Sequence, residues 1–370
     1  MKTRMCHDKA VSLLGFGTMR MPETEPGKID RAKAFAMLDE AYAAGVTYYD
    51  TAYPYHQGDS ERMLGEWLKT KPRESVLVAT KFPIWKEDTQ EGFRRLFHEQ
   101  LEKLGLEYVD FYLMHAVNAE RFEKLKAMDV FPLLDELKQS GKVRQIGFSF
   151  HDEYPVFEQV LDSYPWDFCQ LQLNYMDTEI QAGMRGYELA RSRGVPVFVM
   201  EPIKGGSLAQ PPQDVRAVFD RLHPDWSGAS WALRWVASLD NVAVILSGMS
   251  TLEQVRDNVR TFSQAEPLTE EEQRAVRRAA EVYRSRIQVP CTGCAYCMPC
   301  PAGVDIPANF RVYNGYSVYG DDAASRRSYD AIGEGARASA CVACGRCMEQ
   351  CPQHIEIPEM LRRVNAWAQG

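Results

Sequence analysis

Short runs rich in β-branched and aromatic residues alternate with longer amphipathic stretches as far as residue 260. The short runs are typical of buried strands and the longer stretches of helices, such as 31–45 and 93–105, which stop at Gly45 and Gly105. We predict eight strands: LLGFG (13–17), VTYYD (46–50), SVLVATK (75–81), YVDFYLMH (108–115), VRQIGFS (143–149), DFCQLQLN (167–174), VPVFVM (195–200) and NVAVILS (241–247).

Eight strands that alternate with helices over this length predict an α/β fold, a (β/α)8 TIM barrel. A doubly wound sheet is the alternative. It is disfavoured because no strand is followed by G-x-G-x-x-G, and GFGTMR lacks the third glycine.

The chain beyond the eighth strand has helical patterns and a dense set of cysteines. In the segment LTEEEQRAVRRAAEVYRSR, Thr269 and Glu272 have the spacing of a capping box. Eight of the 10 cysteines then fall in two runs, CTGCAYCMPCP (291–301) and CVACGRCMEQCP (341–352), with helical patterns between them. We therefore predict two domains, a barrel over 1–286 and a small, mostly helical domain over 287–370.

Composition excludes several classes of function. A net charge of −8 argues against nucleic acid or an anionic membrane surface as the main partner. No stretch approaches eighteen uninterrupted apolar residues, and the start of the chain is too broken by charge for a signal peptide. Clustered C-x-x-C pairs indicate metal or redox chemistry rather than disulfides, so we expect a cytoplasmic protein.

Four residues near the carboxyl ends of successive predicted strands suggest a catalytic site. Asp50, Lys81 and His115 each end a predicted strand, and Tyr55 follows five residues after Asp50. Since barrel enzymes carry their chemistry at this end, we expect the four side chains to converge on one pocket. Each alone is more simply a polar residue of the barrel rim.

From about residue 13 to 285 the chain resembles the aldo-keto reductases. Six motifs stand in the family's order: GFGTMR (15–20), GVTYYDTAYPY…GDSERMLGEWL (45–68), VATKFP (78–83), YVDFYLMH (108–115), GKVRQIGFS (141–149) and SGMSTLEQVRDN (247–258). The resemblance implies a nicotinamide-dependent oxidoreductase that interconverts a carbonyl and an alcohol, with Asp50, Tyr55, Lys81 and His115 as its catalytic tetrad.

The tetrad residues suit these roles chemically. The resemblance implies that Tyr55 is the general acid for the developing alkoxide, and we expect the Lys81 ammonium to favour its phenolate and so to bring the proton closer to transferable at neutral pH. We expect Asp50 to pair with Lys81, and His115 to point a ring N–H at the carbonyl oxygen.

The resemblance also implies a binding site for NAD(H) or NADP(H). Phe150 stands where the family often has asparagine, and Met200 where it often has an aromatic residue against the nicotinamide. The implied cofactor contacts are Gly17, Thr18, Met19, Ser149, Gln170, Met200, Pro202, Gly206, Ser207, Gly248, Ser250, Thr251, Gln254 and Asn258.

The adenine end of that site favours NADH. Members that select NADP commonly place a basic residue where Gln254 stands, although Ser250 and Thr251 at the start of a helix also suit a phosphate. Tyr53 and Trp85 are candidates for the pocket of a small carbonyl or alcohol substrate, and packing is the alternative role for both.

The cysteine runs resemble those of two-cluster ferredoxins of the helical type. The second run has the spacing C-x2-C-x2-C-x3-C-P and the first is one residue shorter in its last gap. In two-cluster ferredoxins the fourth cysteine of each run serves the other cluster. We therefore expect two [4Fe–4S] clusters, one bound by Cys291, Cys294, Cys297 and Cys351 and the other by Cys341, Cys344, Cys347 and Cys300. Two tetrahedral zinc sites are the alternative.

The combination leaves three interpretations open. Nicotinamide moves two electrons as a hydride whereas a [4Fe–4S] cluster moves one, and no separate flavin-binding fold is evident in the sequence. In the first interpretation the clusters exchange electrons with a ferredoxin or flavoprotein partner, with a flavin bound by the barrel or supplied by that partner. In the second the clusters are structural, and in the third the chain is a non-catalytic redox sensor. The intact tetrad counts against the third.

Overall fold

The computed structural model describes residues 1–264, 266–291 and 293–370. The chain divides into two compact units, residues 1–205 with 229–273, and residues 206–228 with 274–370. The boundary that the sequence predicts, after residue 286, stays a prediction. No helix within the described residues is long and apolar enough to span a membrane.

Eight parallel strands close into a barrel, which confirms the predicted fold class. Neighbouring barrel strands follow chain order, and the last pairs with the first through Ile245 and Leu14. The strands are β1 Thr3–Cys6, β2 Lys9–Ser12, β3 Leu14–Gly17, β4 Glu23–Glu25, β5 Lys28–Ile29, β6 Tyr48–Asp50, β7 Leu77–Phe82, β8 Val109–Val117, β9 Val143–Phe150, β10 Phe168–Gln172, β11 Val197–Met200 and β12 Val242–Gly248. The barrel consists of β3 and β6 to β12.

Helices alternate with the barrel strands and continue beyond them. They are α1 Arg31–Ala43, α2 Asp59–Leu68, α3 Gln90–Leu104, α4 Ala119–Ala127, α5 Phe131–Gln139, α6 Tyr154–Leu161, α7 Gly183–Ser192, α8 Gln213–Asp220, α9 Gly228–Ala237, α10 Leu252–Ser263, α11 Glu270–Ser285, α12 Ile306–Tyr319, α13 Asp322–Asp330, α14 Arg346–Glu349 and α15 Ile357–Gln369.

Local signals explain where several helices begin and end. Gly45 and Gly105 follow α1 and α3 with φ of 90° and 64°, the left-handed conformation that glycine adopts at little cost. Helix α3 begins three residues earlier than predicted because the Thr89 hydroxyl caps it, accepting from Gly92 N at 3.1 Å. The capping box of α11 forms as predicted, with Glu272 accepting from Thr269 N at 2.7 Å.

Aromatic side chains fill the interior of the barrel. Tyr48, Phe111, Phe168 and Phe198 form a ring of contacts with centroid separations of 4.5 to 5.5 Å, and each is fully buried. Two antiparallel hairpins accompany the barrel: β1–β2 precedes its first strand, and β4–β5 follows that strand.

The second unit has a small apolar core of its own. Helices α12 and α15 contribute Phe310 and Leu361, and most of the cluster cysteines are half-buried against this core. The helices predicted between the two cysteine runs are present as α12 and α13.

Candidate active site and cysteine sites

The four predicted catalytic residues meet at the carboxyl end of the barrel. Asp50 is the last residue of β6, Lys81 lies in β7 and His115 in β8. Tyr55 begins a 3-10 turn in the loop that follows β6. Three consecutive strands of the barrel thus position the acid, the lysine and the histidine, because their carboxyl ends lie side by side.

Lys81 is the centre of this arrangement. Its side chain is 1% exposed, and its ammonium donates to Asp50 Oδ1 at 2.5 Å and to the Thr51 carbonyl at 2.8 Å. The same ammonium lies 3.5 Å from the Tyr55 hydroxyl. A single buried cation therefore connects the carboxylate to the phenol.

Burial and charge act in opposite directions on these groups. Burial lowers the pKa of Lys81, but the Asp50 carboxylate and Tyr55 more than offset it, and the pKa lies above its usual value. Burial raises the pKa of Asp50, and Lys81 opposes the rise. Because Asp50 is 2% exposed and hydrogen-bonded to the ammonium, we take the two as an ion pair.

The pKa of Tyr55 departs from the sequence-based expectation. Burial raises it, and the neighbouring Lys81 lowers it but only in part, so the net shift is upward. The expectation named the effect of the lysine correctly and left out desolvation, which is the larger effect. The phenol therefore keeps its proton at neutral pH.

His115 faces Tyr55 across the site. The two rings are 6.0 Å apart edge to face, and the Trp85 ring lies 5.1 Å from the imidazole. Burial and the Lys81 charge hold the pKa of His115 well below its ordinary value, so the ring is neutral. The Arg121 guanidinium covers Trp85 at 4.8 Å and donates to the carbonyl of Ala116, a residue with a φ of 54°.

A cluster of buried polar side chains contacts the Lys81 backbone, and it was not predicted from the sequence. Glu61 is fully buried and accepts from Thr80 Oγ1 at 2.6 Å and from Gln100 Nε2 at 2.7 Å. Gln100 also donates to the Lys81 carbonyl at 3.0 Å and accepts from the Tyr112 hydroxyl. The available signal was an acidic residue on the buried face of α2, in the motif GDSERMLG.

A cavity of about 490 Å³ opens beside the tetrad. Two of the four predicted catalytic residues, Tyr55 and His115, line it, and Met19, Glu23, His56 and Gln57 are among the other lining residues. Tyr55 and His115 therefore face one open space.

Of the two predicted substrate contacts, the structure brings only Trp85 to the tetrad. The Tyr53 hydroxyl donates to the Glu99 carboxylate on α3 at 3.2 Å, and the Lys103 ammonium lies 3.8 Å from the Tyr53 ring centroid. A charged pair on α3 therefore holds the Tyr53 ring, and neither Tyr53 nor Trp85 is among the described residues that line the cavity. Among the residues that line it, Met19 was predicted as a cofactor contact.

The predicted nicotinamide contacts on β9 and β10 lie next to each other. Ser149 and Gln170 are partners in the strand register and are both buried. The Ser149 hydroxyl accepts from Ala116 N at 2.7 Å, which leaves its proton free to donate. The Gln170 amide is buried beside the Asp50 carboxylate, and its hydrogen bond to that group opposes the rise in the pKa of Asp50. A buried hydroxyl with a proton to donate and a buried amide in this position fit a carboxamide.

Three further predicted cofactor contacts, Gly17, Thr18 and Gly248, lie side by side at the carboxyl end of the barrel. Gly17 pairs with both Asp50 and Gly248, and the Thr18 hydroxyl donates to the Asp50 carbonyl at 2.9 Å. Met200 ends β11 half-buried, and Pro202 is buried in the loop after it. Gly206 and Ser207 belong to the second compact unit.

The predicted adenine-end residues surround the start of α10. Thr251 caps this helix by accepting from Gln254 N, and the exposed Gln254 accepts from Ser250 N at 2.7 Å. The Ser250 hydroxyl donates to the Arg20 carbonyl at 2.7 Å. Asn258 is buried and donates to Ser247 at 2.8 Å, so it supports the end of β12.

The loop after β11 is held in a strained conformation by an anchor that the sequence analysis did not identify. Glu201 and Lys204 have φ of 55° and 50°, a region that costs non-glycine residues energy. The Lys204 ammonium lies 2.6 Å from both oxygens of the buried Asp177. Asn174 donates to the Glu201 carbonyl at 3.1 Å. These contacts keep the predicted cofactor loop in place.

The two cysteine runs have left-handed residues at two matching positions. The third and fifth positions of each run are left-handed, with φ of 73° and 61° at Gly293 and Ala295 and of 55° and 78° at Ala343 and Gly345. In each run the third residue donates its N–H to the first cysteine sulfur at 3.4 Å. Such turns direct backbone N–H groups toward an anionic centre.

The first three cysteines of the first run line a cavity together with the last cysteine of the second. These are Cys291, Cys294, Cys297 and Cys351. In the other set, burial raises the pKa of Cys347, and the neighbouring thiols of Cys341, Cys300 and Cys344 raise it further.

One cavity thus joins three cysteines of the first run to Cys351 of the second, and Cys300 of the first run lies near Cys347 of the second. No three His, Cys, Asp or Glu side chains within residues 1–264, 266–291 and 293–370 are arranged to hold a single metal ion.

A repeat that follows both runs was not recognised from sequence. Cys300 begins CPAGVDIP and Cys351 begins CPQHIEIP. In each case the isoleucine before the final proline opens a helix, α12 or α15, and is buried. The shared pattern C-P-x-x-[VI]-[DE]-I-P was the signal available.

Comparisons with known proteins agree with this geometry. The profile of the Aldo/keto reductase family matches residues 13–281, and that of the 4Fe-4S dicluster domain matches residues 290–356. L-galactose dehydrogenase of Arabidopsis thaliana is 29% identical over 70% of this chain and 86% of its own length. NADH-specific methylglyoxal reductase of Escherichia coli is 28% identical over 69% of this chain and 91% of its own.

Solved structures give the same result. The holo form of aldo-keto reductase AKR11C1 from Bacillus halodurans aligns with a TM-score of 0.63 at 28% identity, over 75% of this chain and 96% of its own. An aldo-keto reductase from Klebsiella pneumoniae in complex with NADPH shares the fold, with a TM-score of 0.59 at 21% identity over 73% of this chain and 91% of its own. The chain therefore belongs to the aldo/keto reductase family, as an NAD(P)-dependent oxidoreductase that carries a 4Fe-4S dicluster domain.

Proposed function

We propose that the barrel reduces a small carbonyl compound to an alcohol, with Tyr55 as the general acid, and that two [4Fe–4S] clusters exchange electrons with a redox partner. The observation that carries the catalytic part is the buried Lys81 ammonium, which contacts both Asp50 and the Tyr55 hydroxyl. Both Tyr55 and His115 line the adjacent cavity.

The direction of the proton transfer follows from the pKa of Tyr55. Because burial raises that pKa above the ordinary value of about 10, the phenol is protonated at neutral pH and has a proton to give. Lys81 stabilises the phenolate that forms when the proton leaves for the carbonyl oxygen, and Asp50 holds Lys81 in place. The neutral His115 donates a ring N–H to the same oxygen and orients the substrate.

A nicotinamide dinucleotide, when bound, supplies the hydride. We propose that the Ser149 hydroxyl and the Gln170 amide hold its carboxamide, since they are buried neighbours in the strand register and the Ser149 hydroxyl has a proton to donate. The loop after β11 is anchored through Lys204 and supports the same site, and Met200 packs beside it. Gln254 carries no positive charge at the adenine end, so we propose NADH as the preferred form.

For the clusters we propose the crossed ligand sets: Cys291, Cys294, Cys297 and Cys351 for one, and Cys341, Cys344, Cys347 and Cys300 for the other. The cavity lined by the first set supports this assignment, as does the influence of Cys300 on Cys347. In a [4Fe–4S] cluster each thiolate binds a different iron, so four ligands surround a body rather than a point.

The exposure of two cysteines favours electron exchange over a purely structural role. Cys294 and Cys344, the second cysteines of the two runs, are both exposed, whereas the other six are half-buried. A ligand at the surface brings a cluster within reach of a ferredoxin or flavoprotein partner. Structural clusters have no need of exposed ligands, which also leave them open to oxidation.

Tyr55→Phe tests the catalytic proposal. The variant removes the transferable proton and should lower carbonyl reduction by about 100-fold or more while binding of the reduced dinucleotide, followed by its fluorescence, stays intact. Tyr42→Phe is the matched control, because its hydroxyl lies 2.9 Å from the Ser75 hydroxyl on the outside of the barrel. If Tyr55→Phe reduced carbonyls at the rate of the control, Tyr55 would not be the acid.

Stopped-flow mixing tests the proposal on electron exchange. Anaerobic protein is mixed with NADH in the presence of a ferredoxin or flavodoxin, and the visible absorption of the clusters is followed. Bleaching and recovery at the rate of turnover support exchange. Clusters that keep one redox state throughout turnover support the structural role instead.

A further inference from the structure

We propose that Arg121, in the first turn of α4, is a positioning residue that orients two groups of the active site at once, the His115 imidazole and the Ser149 hydroxyl. Arg121 acts through the backbone of Ala116 and the ring of Trp85, both of which its guanidinium contacts. This role rests on the proposed carbonyl reduction and deepens it.

The end of β8 contains a bulge at the catalytic histidine. Between two matched pairs of the strand register, β8 has one residue more than β9, so His115 and Ala116 lie opposite Ser149 alone. Bulges of this kind redirect a side chain next to an active site. Ala116 has a φ of 54°, a conformation that costs a residue with a Cβ energy and persists only where its surroundings hold it.

Side chains bind both polar groups of the Ala116 backbone. Its N–H donates to Ser149 Oγ at 2.7 Å, and its carbonyl oxygen accepts from Arg121 Nη1 at 2.8 Å. The guanidinium therefore holds the strained peptide in place. Because the Ala116 N–H occupies one side of the Ser149 oxygen, the direction of the remaining hydroxyl proton depends on the same peptide.

The orientation of the imidazole depends on the bulge as well. Nδ1 of His115 is buried and has no hydrogen-bond partner within the part of the chain that the structure describes. The ring is thus directed by its own backbone and by Trp85, whose ring lies 5.1 Å away. The Arg121 guanidinium lies 4.8 Å from the same Trp85 ring, so it supports both determinants.

The place of Arg121 in α4 argues against a role in stabilising that helix. A cation in the first turn meets the positive end of the helix dipole, which is unfavourable. The helix start has other partners, since Asn118 Oδ1 accepts from Arg121 N and Asp152 Oδ2 from Ala119 N, each at 2.8 Å. The guanidinium itself is therefore not needed to begin α4.

Arg121→Met tests this role, because methionine keeps an apolar stem and removes the guanidinium. The full-length protein, prepared anaerobically, is assayed for NADH binding by fluorescence and for kcat with propanal. We expect kcat to fall by about ten-fold or more and the Kd for NADH to rise by about three- to ten-fold. Arg185→Met is the matched control: Arg185 lies in the first turn of α7 and covers the Tyr154 ring at 4.0 Å. It should change neither value.

A double-mutant cycle on NADH binding separates positioning from a general loss of structure. Ser149→Ala should raise the Kd for NADH by about three- to ten-fold in the wild type. In the Arg121→Met background it should raise the Kd by less than about two-fold, because the hydroxyl is already misdirected. Unfolding, followed by circular dichroism, gives no such coupling.

Ala116→Gly supplies a second variant that depends on the strain. Glycine adopts a φ of 54° at little cost, so the bulge needs the guanidinium less. We expect Arg121→Met combined with Ala116→Gly to recover at least about three-fold in kcat over Arg121→Met, and to fold if Arg121→Met alone does not.

Three results would overturn the role of Arg121 while carbonyl reduction stands. They are equal kcat and Kd in Arg121→Met and Arg185→Met, additive effects of Arg121→Met and Ser149→Ala on the Kd, and a folded double variant with Ala116→Gly that recovers no kcat. A wild type that binds NADH and reduces no aldehyde refutes the proposed function instead, and the cycle on the Kd still decides whether Arg121 orients Ser149.

Discussion

Replacing Lys81 by methionine should damage stability and catalysis together, and a second substitution should separate the two effects. Methionine keeps the length of the lysine stem and removes the ammonium. The Asp50 carboxylate, 2% exposed, then loses its ion pair, and the Thr51 carbonyl loses the donor 2.8 Å away.

The magnitude follows from the burial of the pair. Breaking a buried ion pair by removing one partner costs about 3–5 kcal/mol, because an uncompensated charge remains in the interior. For a domain of this size that corresponds to a fall in Tm of roughly 6–20 °C. Carbonyl reduction should fall by about 100- to 10,000-fold, since the phenolate of Tyr55 loses the cation 3.5 Å away.

The double variant Asp50→Asn with Lys81→Met distinguishes structure from chemistry. Asparagine removes the buried charge, so the double variant should unfold at a higher temperature than Lys81→Met alone, while its activity stays lost. The assays are far-ultraviolet circular dichroism on anaerobic protein and initial rates of NADH oxidation with an aldehyde.

An exposed lysine provides the control for this experiment. Lys33→Met breaks a surface pair with Asp30 at 3.1 Å and should change stability by less than about 1 kcal/mol. Lys81 would not have both roles if Lys81→Met were no less stable than Lys33→Met, or if the double variant recovered activity along with stability.

Three further predictions concern the histidine, the dinucleotide and the crossing cysteine. In the folded protein the pKa of His115 lies well below that of an unfolded histidine, so the unfolded state binds more protons below about pH 6.5 and stability falls as the pH drops through that value. His115→Gln should therefore flatten the dependence of Tm on pH between about 7 and 5. An unchanged slope would contradict the assignment. Gln254→Arg adds a cation at the start of α10 and should raise kcat/KM for NADPH relative to NADH by about ten-fold, which initial rates with both dinucleotides measure. Cys300→Ala should lower the iron content by up to about four atoms per chain and disturb the cluster of the second run. Cys169→Ala, in the barrel core, should retain all iron. Loss of the first run's cluster in Cys300→Ala, seen by electron paramagnetic resonance, would contradict the crossed ligands.

Hydrophobic patterning predicted the barrel well because each buried parallel strand is a nearly continuous apolar run. All eight predicted strands exist, and the closing pair of Ile245 and Leu14 joins the last to the first. The ends were less accurate where side-chain caps decide them, as Thr89 does for α3.

The β1–β2 and β4–β5 hairpins were not predicted. The β4–β5 hairpin has strands of three and two residues with exposed charges, which leave no apolar alternation to detect. The place of Glu23, which lines the cavity from this hairpin, could therefore not be predicted from the sequence.

The sequence predicted that the four side chains meet, but not the electrostatics of the groups that they form. The positions of Asp50, Lys81 and His115 at the ends of successive strands predicted that their side chains meet, because parallel strands of a barrel end on one side. The pKa of Tyr55 depends on how much water the folded site excludes, and only the structure provides that. Loop orientation was equally inaccessible: Tyr53 and Tyr55 are two residues apart, yet the first contacts Glu99 and the second lines the cavity.

For the cysteines, spacing suggested the crossed ligand sets, and the structure adds the matched left-handed turns at Ala295 and Gly345. The repeat after Cys300 and Cys351 was missed because it is only eight residues long and identical at only four of them.

The presence of two clusters in an active reductase is tested most directly by the iron and acid-labile sulfide content of the anaerobically purified chain, with its electron paramagnetic resonance spectrum after one-electron reduction. We predict about eight iron atoms and about eight sulfides per chain and signals from reduced [4Fe–4S] centres, in a preparation that also reduces aldehydes with NADH. A fully active preparation that holds about two zinc ions and no sulfide would contradict it.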